Sequence, residues 1–218
     1  MRPVVIVSTP GDSFSSRFLI SFTETIIELK RDYDVFVSTG VSSFVSFARM
    51  KTLGLDVKRG PGQRPFNGKK FDVWVTIDSD IAFHHSQVRT LIEKCLTDHP
   101  VASGLYRMAC GTAYAVVENW DEEYFSKNGT FQFLTEDALL EKRHPFTVSY
   151  AGMGFFAMRS RVFDSLRYPY FHADLQCIDG MVDICSEDVA FCKNLQKVGI
   201  SIVVIPDLVV GHEKRVVL

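Results

Sequence analysis

The stretch Phe71-Asp72-Val73-Trp74-Val75-Thr76-Ile77-Asp78-Ser79-Asp80 is an apolar run that ends in two carboxylates with one residue between them. Such a run predicts a strand buried on both faces, as in a parallel sheet. Residues i and i+2 of a strand point the same way, so extended geometry would place Asp78 and Asp80 at one site. Two such carboxylates repel each other unless a proton or a cation lies between them, and Mg2+ or Mn2+ prefers oxygen ligands. The stretch therefore predicts a metal–diphosphate site at the carboxyl end of a parallel strand.

Outward from this stretch, the chain alternates predicted strands and helices. Strands are predicted at 4–7, 33–37, 71–77, 101–106, 112–118, 155–158 and 202–205. Helices are predicted at 18–29, 41–53, 84–97 and 186–199. The order strand, helix, strand, helix at the start predicts a right-handed, parallel α/β unit. Residues 120–144 show no clean period, which is typical of a lid or a substrate surface.

Composition limits the classes of protein that fit. The chain has 218 residues, of which 46% are hydrophobic and 23% charged, and its net charge is -2. These values fit one soluble α/β domain without a linker. The near-neutral charge argues against a nucleic-acid binder that neutralises many phosphates. No stretch approaches the length of a membrane span, and the apolar run at 4–7 is too short for a signal peptide.

Cysteine usage indicates the compartment. The five cysteines are irregularly spaced and form no C-x-x-C motif. Zinc ribbons and disulfide frameworks are therefore not expected. We expect reduced thiols, mostly in the core, and a reducing compartment such as the cytoplasm.

Four motifs follow one another along the chain: Asp78-Ser79-Asp80, Gly152-Met153-Gly154, Ser186-Glu187-Asp188 and His212. This order resembles the GT-A family of nucleotide-sugar glycosyltransferases. That family carries a D-x-D metal motif, a glycine-containing loop, an x-E-D motif that opens a helix, and a late metal-binding histidine. The resemblance runs from the first predicted strand to nearly the last residue.

The resemblance implies one α/β GT-A (Rossmann-like) domain over residues 1–218, with a mostly parallel central sheet flanked by helices and a smaller sheet on the acceptor side. Residues 1–107 would be the nucleotide-binding half and 108–218 the acceptor-binding half. The chain also resembles the capsid-glycan glycosyltransferase domains encoded by large DNA viruses of green algae. That implies glycosylation of a viral capsid protein in the host cytoplasm, and further domains in a longer polypeptide.

The metal site implied by the resemblance holds Mn2+ or Mg2+ on Asp78, Asp80 and His212, with Asp78 binding either the metal or a ribose hydroxyl. Lys214 would pair with the diphosphate as a point charge. Each residue also has an ordinary alternative: a strand-end turn at residues 78–80, a surface histidine, and a solvated lysine.

The donor site implied by the resemblance places the uracil and ribose of a UDP-sugar at Thr9, Pro10, Gly11 and Asp12. These residues end the first strand, where open α/β sheets bind ligands, and Ser38 ends the second. The ordinary alternative for residues 9–12 is a strand-to-helix turn.

Four more residues complete the predicted donor site. Ser79 lies between the two aspartates. Arg64, in a glycine- and proline-rich loop, suits a diphosphate or a base carbonyl, or is simply solvated. Gly152 and Gly154 would let backbone amides approach the sugar closely, or they form a tight turn before a strand.

The candidate catalytic residues are Glu187 and Asp188, at the start of a predicted helix. The resemblance puts the aspartate of x-E-D on the acceptor side. There it is a general base in inverting members, or holds the sugar in retaining members. First-turn carboxylates also stabilise a helix through its macrodipole, and the sequence does not choose the stereochemistry.

Three functions remain open at this point. The first is a metal-dependent glycosyltransferase that moves a sugar from a UDP-sugar to a hydroxyl of a glycan or glycoprotein acceptor. The second is a sugar nucleotidyltransferase, which normally has a glycine- and lysine-rich phosphate loop near the first strand. Residues 4–17 offer Pro10-Gly11 and Arg17 but no lysine. The third is a non-catalytic module that binds nucleotide sugars.

Overall fold

The computed structural model describes residues 2–214. Its strands, in chain order, are β1 (Val4–Pro10), β2 (Asp34–Gly40), β3 (Val73–Ile77), β4 (Ile81–Ala82), β5 (Val101–Leu105), β6 (Val116–Val117), β7 (Phe146–Val148), β8 (Tyr150–Ala151), β9 (Phe155–Arg159), β10 (Asp174–Ile178), β11 (Met181–Cys185), β12 (Ile202–Val209) and β13 (Gly211–His212). Its α-helices are α1 (Ser16–Leu29), α2 (Val45–Thr52), α3 (His85–Thr97), α4 (Glu122–Asn128), α5 (Glu136–Leu140) and α6 (Glu187–Lys197).

A seven-stranded sheet in the order β2-β1-β3-β9-β5-β12-β7 forms the centre of the molecule. Strands β9 and β7 run antiparallel to their neighbours, and the other pairs in this sheet are parallel. Smaller two-stranded sheets are β10–β11, β6–β8 and β4–β13. The predicted mostly parallel sheet with a smaller additional sheet is therefore confirmed.

Alternation along β1 and β3 gives the sheet two buried faces, because successive side chains of a strand point to opposite sides. Ile6 and Trp74 pack on one face with residues of α2 and α6, and Trp74 is fully buried. Val7 and Val75 pack on the other face with residues of α1 and α3. Both faces are covered, so these strands are apolar throughout, as the opening stretch predicts.

Several local predictions differ from the structure. Only Val116–Val117 of the predicted strand 112–118 is a strand, and it pairs with β8 rather than with the main sheet. Strand β12 continues to Val209, beyond its predicted end. The β10–β11 hairpin was not predicted, although Asp179-Gly180 between its strands is a two-residue hairpin turn signal that sequence reasoning overlooked. No helix within residues 2–214 is long and apolar enough to cross a membrane.

The expectation of mostly buried cysteines is wrong. Cys95 and Cys192 are buried, Cys185 is half-buried, and Cys110 and Cys177 are exposed. All of them are free thiols, so the absence of a disulfide framework within the described chain agrees with the sequence.

Candidate active site

The late histidine lies beside Asp80, as predicted. Strand β13 pairs antiparallel with β4, which puts His212 opposite Ile81. The Glu213 N–H donates to the Asp80 carbonyl at 2.7 Å, which ties the two segments together. His212 Nε2 lies 3.1 Å from Asp80 Oδ2, and the His212 side chain is 15% exposed. Two residues separated by most of the chain thus form one polar site.

The carboxylate oxygens of Asp80 and the Nε2 of His212 are suitable ligands for a cation. His212 Nδ1 lies 2.6 Å from the Arg107 carbonyl, which only accepts, so Nδ1 carries the proton. Nε2 then presents a lone pair towards the Asp80 carboxylate. The Lys214 ammonium lies 2.9 Å from Asp80 Oδ2 and 2.6 Å from His212 Nε2, and so supplies positive charge between them. Mn2+ accepts such mixed oxygen and nitrogen ligands, and backbone bonding of the distal ring nitrogen is typical of metal-binding histidines.

Asp78 points elsewhere. Residues 78–80 form a turn, in which the Ile81 N–H donates to the Asp78 carbonyl at 3.1 Å. Arg49, on α2, donates from both terminal nitrogens to the two Asp78 oxygens at 2.9 and 3.0 Å. Its Nε donates to Glu187 Oε1 at 3.0 Å. The Arg49 side chain is only 4% exposed. The guanidinium therefore joins two of the predicted site carboxylates inside the protein.

Burial dominates the electrostatics of these two carboxyls. It raises the pKa of Asp78 above its ordinary 3.8 and that of Glu187 above its ordinary 4.5. The Arg49 guanidinium offsets part of both rises, the Asp188 carboxylate adds to both, and the Asp80 carboxylate adds to the rise in the pKa of Asp78. Loss of solvent around the two carboxyls, rather than a lack of nearby cations, is therefore the main cause of both rises.

Asp188 is held by different partners. The Tyr150 hydroxyl donates to Asp188 Oδ2 at 2.8 Å. The Val189 N–H donates to Oδ1 at 2.8 Å, and the Ser186 hydroxyl also donates to Oδ1. Three donors leave room for about one more hydrogen bond on this carboxylate. Its orientation is therefore fixed while one acceptor position remains.

Tyr106 packs against the backbone of the glycine loop at 152–154, near both Asp78 and Asp188. Its hydroxyl accepts from the Gly154 N–H at 3.2 Å. Burial raises the pKa of Tyr106, and the charges of Asp78 and Asp188 raise it further. A Cβ on Gly152 would lie 2.1 Å from the Tyr106 hydroxyl oxygen. This loop needs glycine because the tyrosine ring packs against its backbone.

The end of β1 contacts the turn that carries the aspartates. Gly11 has a φ of 134°, which L-residues rarely adopt, and a Cβ there would lie 2.7 Å from Ser79 Oγ. The Gly11 N–H donates to the Gly40 carbonyl at 3.0 Å. Strand ends β1, β2 and β3 therefore meet at one edge of the sheet.

Comparison with known protein structures identifies the fold of this chain. No protein-family model matches the chain, and no curated protein matches its sequence. The structure is similar to A197 from STIV, with a TM-score of 0.53 and 15% identity, over 100% of this chain and 97% of that one. It is also similar to GalNAc-T7, crystallised with UDP, GalNAc and Mn2+, with a TM-score of 0.58 and 13% identity, over 98% of this chain and 43% of that one. The chain has the GT-A fold.

The carboxyl edge of this GT-A fold gathers most of the predicted site. The predicted residues found there are Thr9, Pro10, Gly11, Asp12, Asp78, Ser79, Asp80, Gly152, Gly154, Glu187, Asp188, His212 and Lys214. Thr9 Oγ1 is buried there, with no hydrogen-bond partner within residues 2–214. Their assignment to donor, acceptor or metal stays a prediction.

Arg64 is not brought to this edge. It pairs with Asp164 at 3.3 Å and lines a cavity with Val4 and Asp72, where β1 and β3 begin. The loop at 60–68 precedes β3, so it lies at the amino edge of the GT-A sheet. Arg64 was predicted to lie near the metal strand because its loop precedes that strand, but closeness along the chain was misleading here.

Ser38 ends β2 as predicted, but its hydroxyl is already used. The Trp74 Nε1–H donates to Ser8 Oγ at 2.8 Å, and Ser8 Oγ lies 2.7 Å from Ser38 Oγ. Ser38 in turn donates to the Thr52 carbonyl at 2.6 Å. This chain of bonds anchors α2 to the sheet.

The predicted three-residue metal set is not formed. Within the described residues, no group of three or more His, Cys, Asp or Glu side chains is arranged to hold a metal ion. Asp80 and His212 supply two ligands, while both Asp78 oxygens face Arg49. The expectation that Asp78 and Asp80 share one site fails because the strand ends at Ile77 and the chain turns.

Sequence reasoning missed Arg49, Tyr106 and the contact of Tyr150 with Asp188. Arg49 carries no motif, and an arginine in an amphipathic helix reads as a solvated residue. Tyr106 follows β5 and Tyr150 opens β8, and aromatic residues near strands are more often core. Only the unpaired charge of the predicted Asp78 and Glu187 pointed to a buried partner.

Proposed function

We propose that the chain is a metal-dependent glycosyltransferase that moves a sugar from a UDP-sugar to a hydroxyl of a glycan acceptor. One observation carries this proposal: the Asp80–His212 pair and Asp188, from three distant segments, lie at the same carboxyl edge of a GT-A sheet, where Arg49 joins Asp78 to Glu187. Ligands of open α/β sheets bind at this edge. The similarity to GalNAc-T7, which was crystallised with UDP, GalNAc and Mn2+, supports the donor class and the cation.

Donor binding is assigned to residues 1–107 and acceptor binding to 108–218, except that the late residues His212 and Lys214 would contribute to the donor site. The end of β1 and Ser79 would bind the nucleoside, and Lys214 would pair with the diphosphate. Asp80 and His212 would hold Mn2+ or Mg2+. When bound, the cation offsets the negative charge that builds on the leaving UDP.

Asp188 is the acceptor-side carboxylate of the x-E-D pair. Glu187 is committed to Arg49 and buried, so it positions the helix start rather than reacting. Tyr150 holds Asp188 in place, with one acceptor position left for a hydroxyl. In an inverting reaction Asp188 takes the proton of the attacking hydroxyl, and in a retaining reaction it holds the sugar.

The proposed setting is glycosylation of a viral capsid protein in the host cytoplasm, with this domain acting as one module of a longer polypeptide. The resemblance to the capsid-glycan glycosyltransferase domains of large algal DNA viruses supports this setting.

UDP release tests the proposal. A panel of UDP-sugars is incubated with the protein, Mn2+ and candidate acceptors, and UDP and pyrophosphate are measured. We expect Mn2+-dependent UDP release, reduced by about 100-fold or more in Asp80→Asn, which is the usual effect of removing one transition-state stabiliser. Asp34→Asn, at the exposed start of β2, is the matched control and retains full activity.

The alternatives give different products. Full activity in Asp80→Asn, or in excess chelator, contradicts the mechanism. Pyrophosphate release identifies a nucleotidyltransferase. Donor binding without UDP release, with acceptors present, identifies a binding module.

A further inference from the structure

A cavity of about 880 Å3 lies at the amino edge of the sheet, far from Asp80. Its lining includes Val4 at the start of β1, Asp72 just before β3, and Ser160 just after the antiparallel β9. Strand β1 has seven residues, and at roughly 3.3 Å per residue this separates the cavity from the carboxyl edge by about 20 Å. The cavity is therefore distinct from the candidate active site.

Cations outnumber acids around this cavity. The acids that line it are Asp72 and Asp164. The cations that line it are Arg2, Arg64, Lys69, Lys70 and Arg167. The chain as a whole has a net charge of -2, so this excess is local. The molecule is polarised along its strands, with carboxylates at one edge and cations at the other.

The acids do not neutralise the cations. The Asp72 carboxylate already accepts from the Val4 N–H at 2.7 Å. Asp164 pairs with Arg64, but both side chains are more than 60% exposed, at 61 and 72%. Exposed pairs of this kind contribute little and open readily.

Two cations are available for a ligand. Within residues 2–214, the side chains of Lys70 and Arg167 make no hydrogen bond, ion pair or aromatic contact. Lys69, by contrast, lies 3.0 Å over the Phe36 ring. A guanidinium and an ammonium on one cavity rim suit carboxylates, since guanidinium binds them through two parallel bonds.

Aromatic side chains form the apolar part of the lining. Phe71 and Tyr168 are half-buried, and Phe163 and Tyr170 are buried behind them. Partly exposed rings present flat apolar faces next to polar groups, and ligand pockets combine the two in this way. The volume also falls in the range of ordinary ligand sites, about 300–1,000 Å3.

We propose that this cavity binds an acidic glycan, with Lys70 and Arg167 contacting its carboxylates and Phe71 and Tyr168 contacting its sugar rings. The excess of cations around the cavity is the reason to expect a negatively charged ligand. The choice of a glycan as that ligand rests on the proposed function. The site would anchor a polymer about 20 Å from the reacting end, roughly the length of β1.

Single-stranded nucleic acid fits the cavity less well. Such ligands need a positively charged groove that tracks many phosphates. Here the cations surround one concave site, and the overall charge is negative.

Direct binding tests the site. The probe is fluorescent tetragalacturonate, measured by anisotropy, with maltotetraose as a neutral glycan of the same length. We expect tetragalacturonate to bind, and Lys70→Glu with Arg167→Glu to weaken it by about tenfold or more, since charge-assisted contacts are lost and reversed. The matched control is Lys127→Glu with Arg143→Glu, which are exposed residues outside the cavity, and it leaves binding unchanged.

Further outcomes decide between sites and ligands. UDP with Mn2+ does not compete for the amino-edge site, and competition would place the glycan at the carboxyl edge and overturn the proposal. Equal binding of maltotetraose, tighter binding of a dT hexamer, no binding to the unmodified protein, or no effect of the double variant also overturns it. The assay needs no turnover, so failure of sugar transfer with intact charge-dependent binding refutes the proposed function alone.

Discussion

The buried Arg49 guanidinium forms a bidentate ion pair with Asp78, with N–O distances of 2.9 and 3.0 Å. The Nε–H of the same guanidinium donates to Glu187 Oε1 at 3.0 Å. The D-x-D turn and the start of α6 are therefore joined through one residue of α2. This link fixes the distance between residues 78–80 and the start of α6.

Arg49→Met should destabilise the protein by about 3 kcal/mol, the low end of the cost of breaking a buried ion pair, because it leaves buried Glu187 and partly buried Asp78 without their cation. The free energy of unfolding, measured in urea, gives this value. The control Arg31→Met removes the exposed Arg31–Glu28 pair and should cost less than about 1 kcal/mol. Equal costs for the two variants would contradict the role of Arg49.

Stability should fall as pH rises through the acid range. The pKa values of Asp78 and Glu187 are raised in the folded state, so it binds more protons than the unfolded chain above their ordinary values of 3.8 and 4.5. Their contribution is complete below those values and is lost as pH rises through the raised ones.

The variant Glu187→Gln separates the contribution of Glu187 to this pH dependence from that of Asp78. Its free energy of unfolding should decline less steeply with rising pH than that of the unmodified protein, because one titrating group is gone. Urea midpoints across the acid range measure both slopes. Parallel curves would show that Glu187 titrates normally.

Much of the fold was predictable from periodicity. Phe18 and Leu29 on α1, and Val88 and Leu91 on α3, are buried as their spacing predicts. The GT-A fold was expected from the resemblance of the four motifs, in their order along the chain, to that family. The predicted strand at 112–118 failed because Ala113 and Tyr114 make only isolated bridges, and a continuous ladder forms only at Val116–Val117.

The sequence predicted many residues of the site but not the contacts between them. The sequence named Asp80 and His212, which lie 3.1 Å apart. It did not show that Asp78 turns towards Arg49, since side-chain direction after a strand depends on the turn that follows. Arg64 was misplaced for a related reason: nearness in sequence to β3 does not tell which edge of the sheet a loop occupies.

Gly152→Ala should destabilise the glycine loop, because the new Cβ would lie 2.1 Å from the Tyr106 hydroxyl oxygen. Overpacking of this kind costs about 1–3 kcal/mol. The cost should shrink in a Tyr106→Phe background, which removes that oxygen, and a double-mutant cycle measures the coupling. Gly62→Ala, where nothing lies within 4 Å, is the neutral control. Additive costs would show that the loop relaxes away from the ring.

Lys214→Met should raise the affinity for Mn2+ when nucleotide is absent. The Lys214 ammonium lies 2.9 Å from Asp80 Oδ2 and 2.6 Å from His212 Nε2, so it occupies the space that a cation bound to both atoms would need. A divalent ion must displace it, and this displacement lowers the apparent affinity. Free Mn2+ measured by electron paramagnetic resonance gives the dissociation constant.

Addition of UDP should reduce or reverse that gain. The diphosphate offers Lys214 a new anionic partner, so the lysine then supports metal binding instead of competing with it. Lys127→Met, on the surface of α4, controls for the loss of one positive charge. If Lys214→Met weakens Mn2+ binding equally with and without UDP, the ammonium and the metal do not compete, and Lys214 acts at the site in some other way.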